Sequence, residues 1–205
     1  MLGNYGRGPT TRIFTPVARW LLRHGVGPNV VSVTGTVLAA VAALALLGSG
    51  QLVIGPLVLG LILLTDALDG VMAREGPGPT DFGSFLDSTL DRLADSAVFI
   101  GLAVYFLRFT TDPVTTAGAI MAMACLALGL TTSYARAKAE SLGWTASVGL
   151  AERADRLVLA LVATFAVGVG LSPWVLVGAL GLLAVASAAT ITQRVRAVRR
   201  QEGQR

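Results

Sequence analysis

Residues 66–91, DALDGVMAREGPGPTDFGSFLDSTLD, carry five aspartates, Asp66, Asp69, Asp81, Asp87 and Asp91, between two long apolar runs. Asp66 and Asp69 are three residues apart and Asp87 and Asp91 four, so on helices each pair projects from one face. Ionised carboxylates at the end of a membrane helix are costly without compensation. Within the stretch and directly after it only Arg74 and Arg92 are basic, too little positive charge for the acids. Four oxygen donors from two helices, with no His or Cys among them, suit a hard cation such as Mg2+ or Mn2+ and argue against zinc. The same four can hold two ions through bridging carboxylates, an arrangement that clamps a phosphate during in-line displacement. Gly70 and Gly83 leave room for a bulky ligand beside the acids, and Arg74, one turn after Gly70, is within reach of a phosphate oxygen.

The rest of the chain has the composition of a membrane protein. Of its 205 residues 54% are apolar and 14% charged, against about 25% charged in soluble domains. Apolar segments near 29–49, 52–73, 84–107, 113–135, 154–171 and 173–193 are each about long enough to cross a bilayer. The expected fold is therefore an all-α integral membrane protein of six transmembrane helices, over residues 29–205. Residues 1–28 are expected to form a cytoplasmic segment holding a short amphipathic interfacial helix, with Thr15 as N-cap, Pro16 at its first position and Gly25 as terminator. Arg19 and Arg23 share one face of that helix, and Val17, Trp20 and Leu21 the other. A signal peptide is the competing reading, but the two arginines interrupt the apolar stretch.

Orientation follows from the basic residues. Arg7, Arg12, Arg19, Arg23, Arg74, Arg136, Lys138, Arg153, Arg156, Arg194, Arg196, Arg199, Arg200 and Arg205 fall at one set of helix ends, and Arg108 near the other. The positive-inside rule puts both termini and the acids in the cytoplasm, at a cell membrane. The net charge of +4 then reads as topology and attraction to anionic lipids, with no nucleic-acid partner. Cys125 stands alone, so it forms no internal disulfide and is expected to face lipid or fill a helix contact.

Capping competes for some of the acids: Asp81 is placed to cap the helix it opens, and Asp95 to pair with Arg92 or a neighbouring helix. Capping does not account for two helical pairs across a hairpin. The alternating oxygen ligands of an EF-hand are absent as well.

The pattern D66-x-x-D69-G70-x-x-A73-R74, eight further residues, then G83-x-x-x-D87-x-x-x-D91, resembles the signature of the CDP-alcohol phosphotransferases at all eight fixed positions. The span count, the surface helix and the Pro28-Asn29 that opens the first span extend the likeness over most of the chain. The resemblance implies a Mg2+- or Mn2+-dependent enzyme with two ions per site, moving a phosphatidyl or similar group from a CDP-linked donor to an alcohol and releasing CMP. It implies that Asp66, Asp69, Asp87 and Asp91 bind the metals, that Asp91 also serves as general base, and that Gly70, Ala73, Arg74, Thr80 and Gly83 line the CDP-lipid site. It further implies a homodimer, although the Gly-rich stretch GALGLLAVASAA can equally pack within one chain.

A second polar cluster bears on the acceptor. Arg136, Lys138, Arg153, Arg156 and Arg194 lie at the same membrane face as the acids, and a basic pocket there points to an acceptor with a phosphate of its own. Topology alone also places basic residues there. SY-x-x-A-x-AE at 133–140 and ER-x-x-R at 152–156 resemble actinobacterial family members whose acceptor is inositol phosphate, with Arg136 and Lys138 standing where Lys and Arg are expected. The expected substrates are thus CDP-diacylglycerol and inositol phosphate, with glycerol phosphate the competing acceptor. An Arg-rich, Lys-poor composition agrees with a GC-rich bacterial source. A prenyltransferase calls for more spans and another acid spacing. A divalent-cation transporter, the reading from another class, would hold its acids near the bilayer midplane.

Overall fold

The structure is a computed structural model that describes residues 7–76, 78, 80–150 and 153–203, and of residues 7–13, 64–67, 69 and 73 the backbone alone. Its regular elements are helical throughout the described residues: α1 (Arg7–Arg23), α2 (Pro28–Ala42) continued by a π-helical turn (Ala43–Leu47), α3 (Ile54–Glu75), α4 (Asp81–Phe109), α5 (Val114–Ser141), α6 (Arg153–Gly168) and α7 (Pro173–Glu202). Among the described residues three stretches, Pro28–Leu47, Val114–Ser141 and Pro173–Glu202, are long and apolar enough to cross a membrane. Many large apolar side chains point outward, among them Leu57 and Leu61 on α3 and Leu182 and Val185 on α7. Against water such surface would be an aggregation hazard; against hydrocarbon it is the expected exterior. The chain forms two compact units, Met1–Gly101 and Leu102–Arg205, with the division inside α4.

In the first unit, α1 packs on α3. Ala18, fully buried, meets Leu68, Val71 and Met72, with Phe14, Leu21 and Leu22 of α1 and Val31 of α2 around them. Positions 14, 18, 21 and 22 form one helical stripe. Val17 and Trp20 lie off that stripe and stay exposed, so the apolar side of α1 has two halves. The expected start at Thr15 is corrected: α1 begins at Arg7 and runs through Thr15 and Pro16. A proline removes one backbone bond and crowds the preceding turn; Phe14 before it and Ala18, Leu21 and Leu22 after it pack in the same cluster with Leu68, Val71 and Met72 of α3. The C-terminus is as expected. Gly25 has φ +77°, its N–H bonds to the Leu22 carbonyl and that of Val26 to Leu21, a Schellman closure.

The π turn at the end of α2 serves close packing. Ala43 and Leu47 are fully buried. A Cβ on Gly101 of α4 would stand 2.5 Å from the Ala43 carbonyl oxygen, so only glycine lets the two backbones approach this closely.

The second unit is built on α7. Cys125 of α5 is buried and its Sγ donates to the Leu180 carbonyl at 3.1 Å, so the lone cysteine fills a helix contact. Leu176, Leu180, Leu183, Ala184 and Ser187 form the buried face of α7, which places part of the Gly-rich stretch inside the monomer. Leu157, Ala160 and Leu161 of α6 are buried as well. Gly118 of α5 lies under the buried Phe106 ring at the end of α4, where any side chain would collide.

Candidate active site

The last turns of α3 carry Asp66, Asp69, Gly70, Ala73 and Arg74 in sequence. Helical spacing puts Asp66, Asp69, Gly70 and Ala73 on neighbouring positions of one side. The side chains of Asp66, Asp69 and Ala73 lie outside the described residues. The buried positions between them, Leu68, Val71 and Met72, are those that α1 covers, so α1 braces the helix that bears the first acid pair. The brace has a polar clip at its end, where Arg19 Nε donates to Glu75 Oε2 at 2.7 Å. The hydrogen bond and then the charge of Glu75 raise the Arg19 pKa above its ordinary value. Arg74 is exposed, and its Nη1 lies 3.7 Å from where a Gly70 Cβ would be.

The second pair sits on the first turns of α4. Thr80 is the cap here: its Oγ1 accepts the Gly83 N–H at 3.0 Å and its carbonyl accepts the Ser84 N–H at 3.0 Å. The cap expected of Asp81 is therefore corrected. Asp81 is the first residue of α4, where its charge favours the helix dipole. A Cβ on Gly83 would stand 3.0 Å from Thr80 Oγ1 and 3.4 Å from Asn29 Oδ1, so this glycine keeps bare backbone beside the opening residues of α2. Asp87, one turn on, is exposed. Asp91, a further turn along, is half-buried, and its Oδ2 lies 3.5 Å from Arg92 Nη2. Beyond it Ala94, Asp95, Ala97 and Val98 are buried. The acids thus occupy the accessible end of a helix whose body is packed.

The donor chemistry fits a divalent cation: by residue type Asp66, Asp69, Asp87 and Asp91 offer oxygen only, and their spacing sets each pair on one face of its helix. Among the described residues no three His, Cys, Asp or Glu side chains group to hold a metal; Asp87 and Asp91 are the described half of the set.

The second unit contains the basic cluster. At the end of α5, Arg136 Nε donates to Glu140 Oε1 at 2.8 Å, one turn away, while Lys138 is exposed. Arg153 opens α6 half-buried, and Arg156 is 4% exposed. Gly129 of α5 faces the Arg156 guanidinium, where a Cβ would stand in ordinary van der Waals contact, 3.8 Å from Cζ. Arg194 of α7 donates Nη1 to the Thr132 carbonyl at 2.5 Å and Nε to the Val148 carbonyl at 3.0 Å. It thereby ties α7 to α5 and to the segment between α5 and α6. That anchoring is not legible in the sequence, where Arg194 reads as one of the residues of the basic pocket at the membrane face of the acids. Gln201, which bonds the Thr145 backbone at both N–H and C=O, carried no signal at all.

A profile of the CDP-alcohol phosphatidyltransferase family matches residues 26–190. The phosphatidylinositol phosphate synthase of Cutibacterium acnes is 45% identical over 201 residues, which cover 95% of this chain and 96% of that one. The protein of the same name from Mycolicibacterium smegmatis is 41% identical over 204 residues, 96% of this chain and 88% of that one. Among solved structures, phosphatidylinositol phosphate synthase of Mycobacterium tuberculosis with CDP-DAG bound aligns with a TM-score of 0.85 at 39% identity, covering 91% of this chain and 94% of that one. The same enzyme in complex with manganese and citrate aligns with a TM-score of 0.84 at 39% identity, covering 90% and 88%.

Proposed function

The chain belongs to the CDP-alcohol phosphatidyltransferase family, and from that premise we propose that it is a phosphatidylinositol phosphate synthase, transferring the phosphatidyl group of CDP-diacylglycerol to inositol phosphate and releasing CMP. One observation carries the assignment. The complete acid motif and the basic residues downstream stand in a chain 45% identical, nearly end to end, to a protein of that name.

Two Mg2+ or Mn2+ ions held by Asp66, Asp69, Asp87 and Asp91 would withdraw charge from the diphosphate and favour departure of CMP. The chain's own residues do the rest. Gly70, Ala73 and Gly83 admit the CDP group beside the acids, with Arg74 on a phosphate oxygen and the Thr80 hydroxyl at the rim. Asp91 takes the proton of the attacking acceptor hydroxyl as its oxygen bonds to the lipid-side phosphorus and the bond to the CMP oxygen breaks. Arg136, Lys138, Arg153, Arg156 and Arg194 recognise the phosphate that inositol phosphate brings with it. Arg136 would exchange its Glu140 partner for that phosphate, and Arg194 would keep its backbone anchors while contributing charge.

The same reading places six spans in a bacterial cell membrane, with both termini and the site on the cytoplasmic side. Helix α1 lies in the interface, Val17 and Trp20 toward lipid, and two chains form a homodimer. Measuring CMP release from CDP-diacylglycerol by the purified protein tests the function. Inositol phosphate should support turnover, free inositol should support little, and chelation of divalent metal should abolish it. Turnover with glycerol phosphate and none with inositol phosphate would contradict the assignment.

A further inference from the structure

Residues 142–150, the described part of the segment between α5 and α6, have no regular structure, yet they are held to α7 at three successive points. Gln201 Oε1 accepts the Thr145 N–H at 3.0 Å and Gln201 Nε2 donates to the Thr145 carbonyl at 2.7 Å. Arg194 Nε donates to the Val148 carbonyl, and Thr190 Oγ1 accepts the Leu150 N–H at 3.1 Å. The spacings match. From Gln201 to Arg194 and from Arg194 to Thr190 are about 10 Å and 6 Å along a helix axis, and from Thr145 to Val148 and from Val148 to Leu150 are about 10 Å and 7 Å of extended chain. The segment therefore runs as an extended strap antiparallel to α7, in register with it. Two small residues permit this. Ala146 is fully buried, and a Cβ on Gly149 would stand 2.5 Å from Thr190 Cγ2.

The strap ends at Leu150, three residues before Arg153 opens α6. Its path therefore helps to set where the first turn of α6 presents Arg153 and Arg156. We propose that Gln201 is a positioning residue for the acceptor site: by fixing the Thr145 backbone at the far end of the strap, it holds Arg153 in the geometry that receives the acceptor's phosphate. This rests on the acceptor reading above. Gln201 touches neither substrate. It acts through the strap, as Thr190 does nearer to Arg153.

The test is a pair of isosteric replacements assayed in the full-length protein with inositol phosphate and CDP-diacylglycerol. Gln201→Leu should raise the KM for inositol phosphate about tenfold, since both bonds to Thr145 are lost, with kcat and the KM for CDP-diacylglycerol within about twofold of wild type. Thr190→Val, which loses the bond to Leu150, should act in the same direction by about threefold, and Arg200→Gln, an exposed neighbour off the strap, should change nothing. Hydrogen exchange of the amides of residues 144–150 should quicken in Gln201→Leu. An unchanged KM for inositol phosphate, or a fall in kcat alone as for a merely structural residue, would overturn the proposal. If Gln201→Leu does not fold, Thr190→Val decides by the same criteria. A wild-type protein that turns over only a different acceptor would refute the acceptor reading, and the exchange measurement would still judge the strap: unaltered exchange would overturn it.

Discussion

Replacing Asp91 by asparagine separates the catalytic role assigned to this side chain from its structural one. Asn matches Asp in size and shape, so packing at the half-buried position is preserved. The ion pair given up is a long one, 3.5 Å from Oδ2 to Arg92 Nη2, with the two side chains 21% and 31% exposed. Solvent-screened pairs of this kind contribute at most about 1 kcal/mol, which on its own would change a rate less than about sixfold and move Tm by only about 2–4 °C. Loss of a general base costs about 100- to 10,000-fold, and the first figure already corresponds to about 2.7 kcal/mol of transition-state stabilisation. A fall in kcat of at least a hundredfold with Tm nearly unchanged is therefore expected. Initial rates of CMP release and binding isotherms for the CDP-lipid measure both sides of this. Asp91→Asn should retain CDP-lipid affinity better than Asp66→Asn at comparable loss of turnover. A folded Asp91→Asn with kcat within about fivefold of wild type would refute the assignment, and equal loss of CDP-lipid affinity in the two variants would remove the base role.

Asp87→Asn should lower turnover by orders of magnitude even at saturating Mg2+, because a shared ion site loses a ligand; activity within threefold of wild type would count against the metal assignment. Arg153→Gln and Lys138→Gln should each raise the KM for inositol phosphate sharply, about tenfold or more for a lost charge-assisted phosphate contact, and leave that for CDP-diacylglycerol nearly unchanged; a topology role predicts that both KM values move together. Gly101→Val should destabilise the protein by about 1–3 kcal/mol, read as an earlier thermal transition in detergent, since its Cβ would press on the Ala43 carbonyl. Treatment with EDTA should abolish CMP release, and added Mg2+ or Mn2+ should restore it.

What the sequence revealed depended on periodicity and on charge. Each of the six apolar segments corresponds to a helix, because long apolar runs bounded by Gly and Pro leave few alternatives; Gly25 and Ser172 mark helix ends as their types imply, the latter accepting from the Trp174 N–H. Thr15-Pro16 has the local form of a helix opening, yet α1 starts at Arg7 and continues through it, which no local pattern announces. Asp81 and Thr80 are both good caps, and backbone geometry alone chooses between them. The acid motif was enough to point to the family, which the profile over residues 26–190 bears out, since four carboxylates at helical spacing have few structural uses. The roles of Arg194, Thr190 and Gln201 were not, because contacts 40 to 62 residues apart in sequence depend on how α7 lies against the strap and α5. The π turn likewise answers to the close approach of Gly101, a tertiary demand with no local signature.

Offering the purified protein CDP-diacylglycerol with equal concentrations of inositol phosphate and glycerol phosphate, and identifying the lipid formed by mass spectrometry, tests the central claim most directly. Phosphatidylinositol phosphate is the expected dominant product, its yield falling in Arg153→Gln. Phosphatidylglycerol phosphate as the dominant product would contradict it.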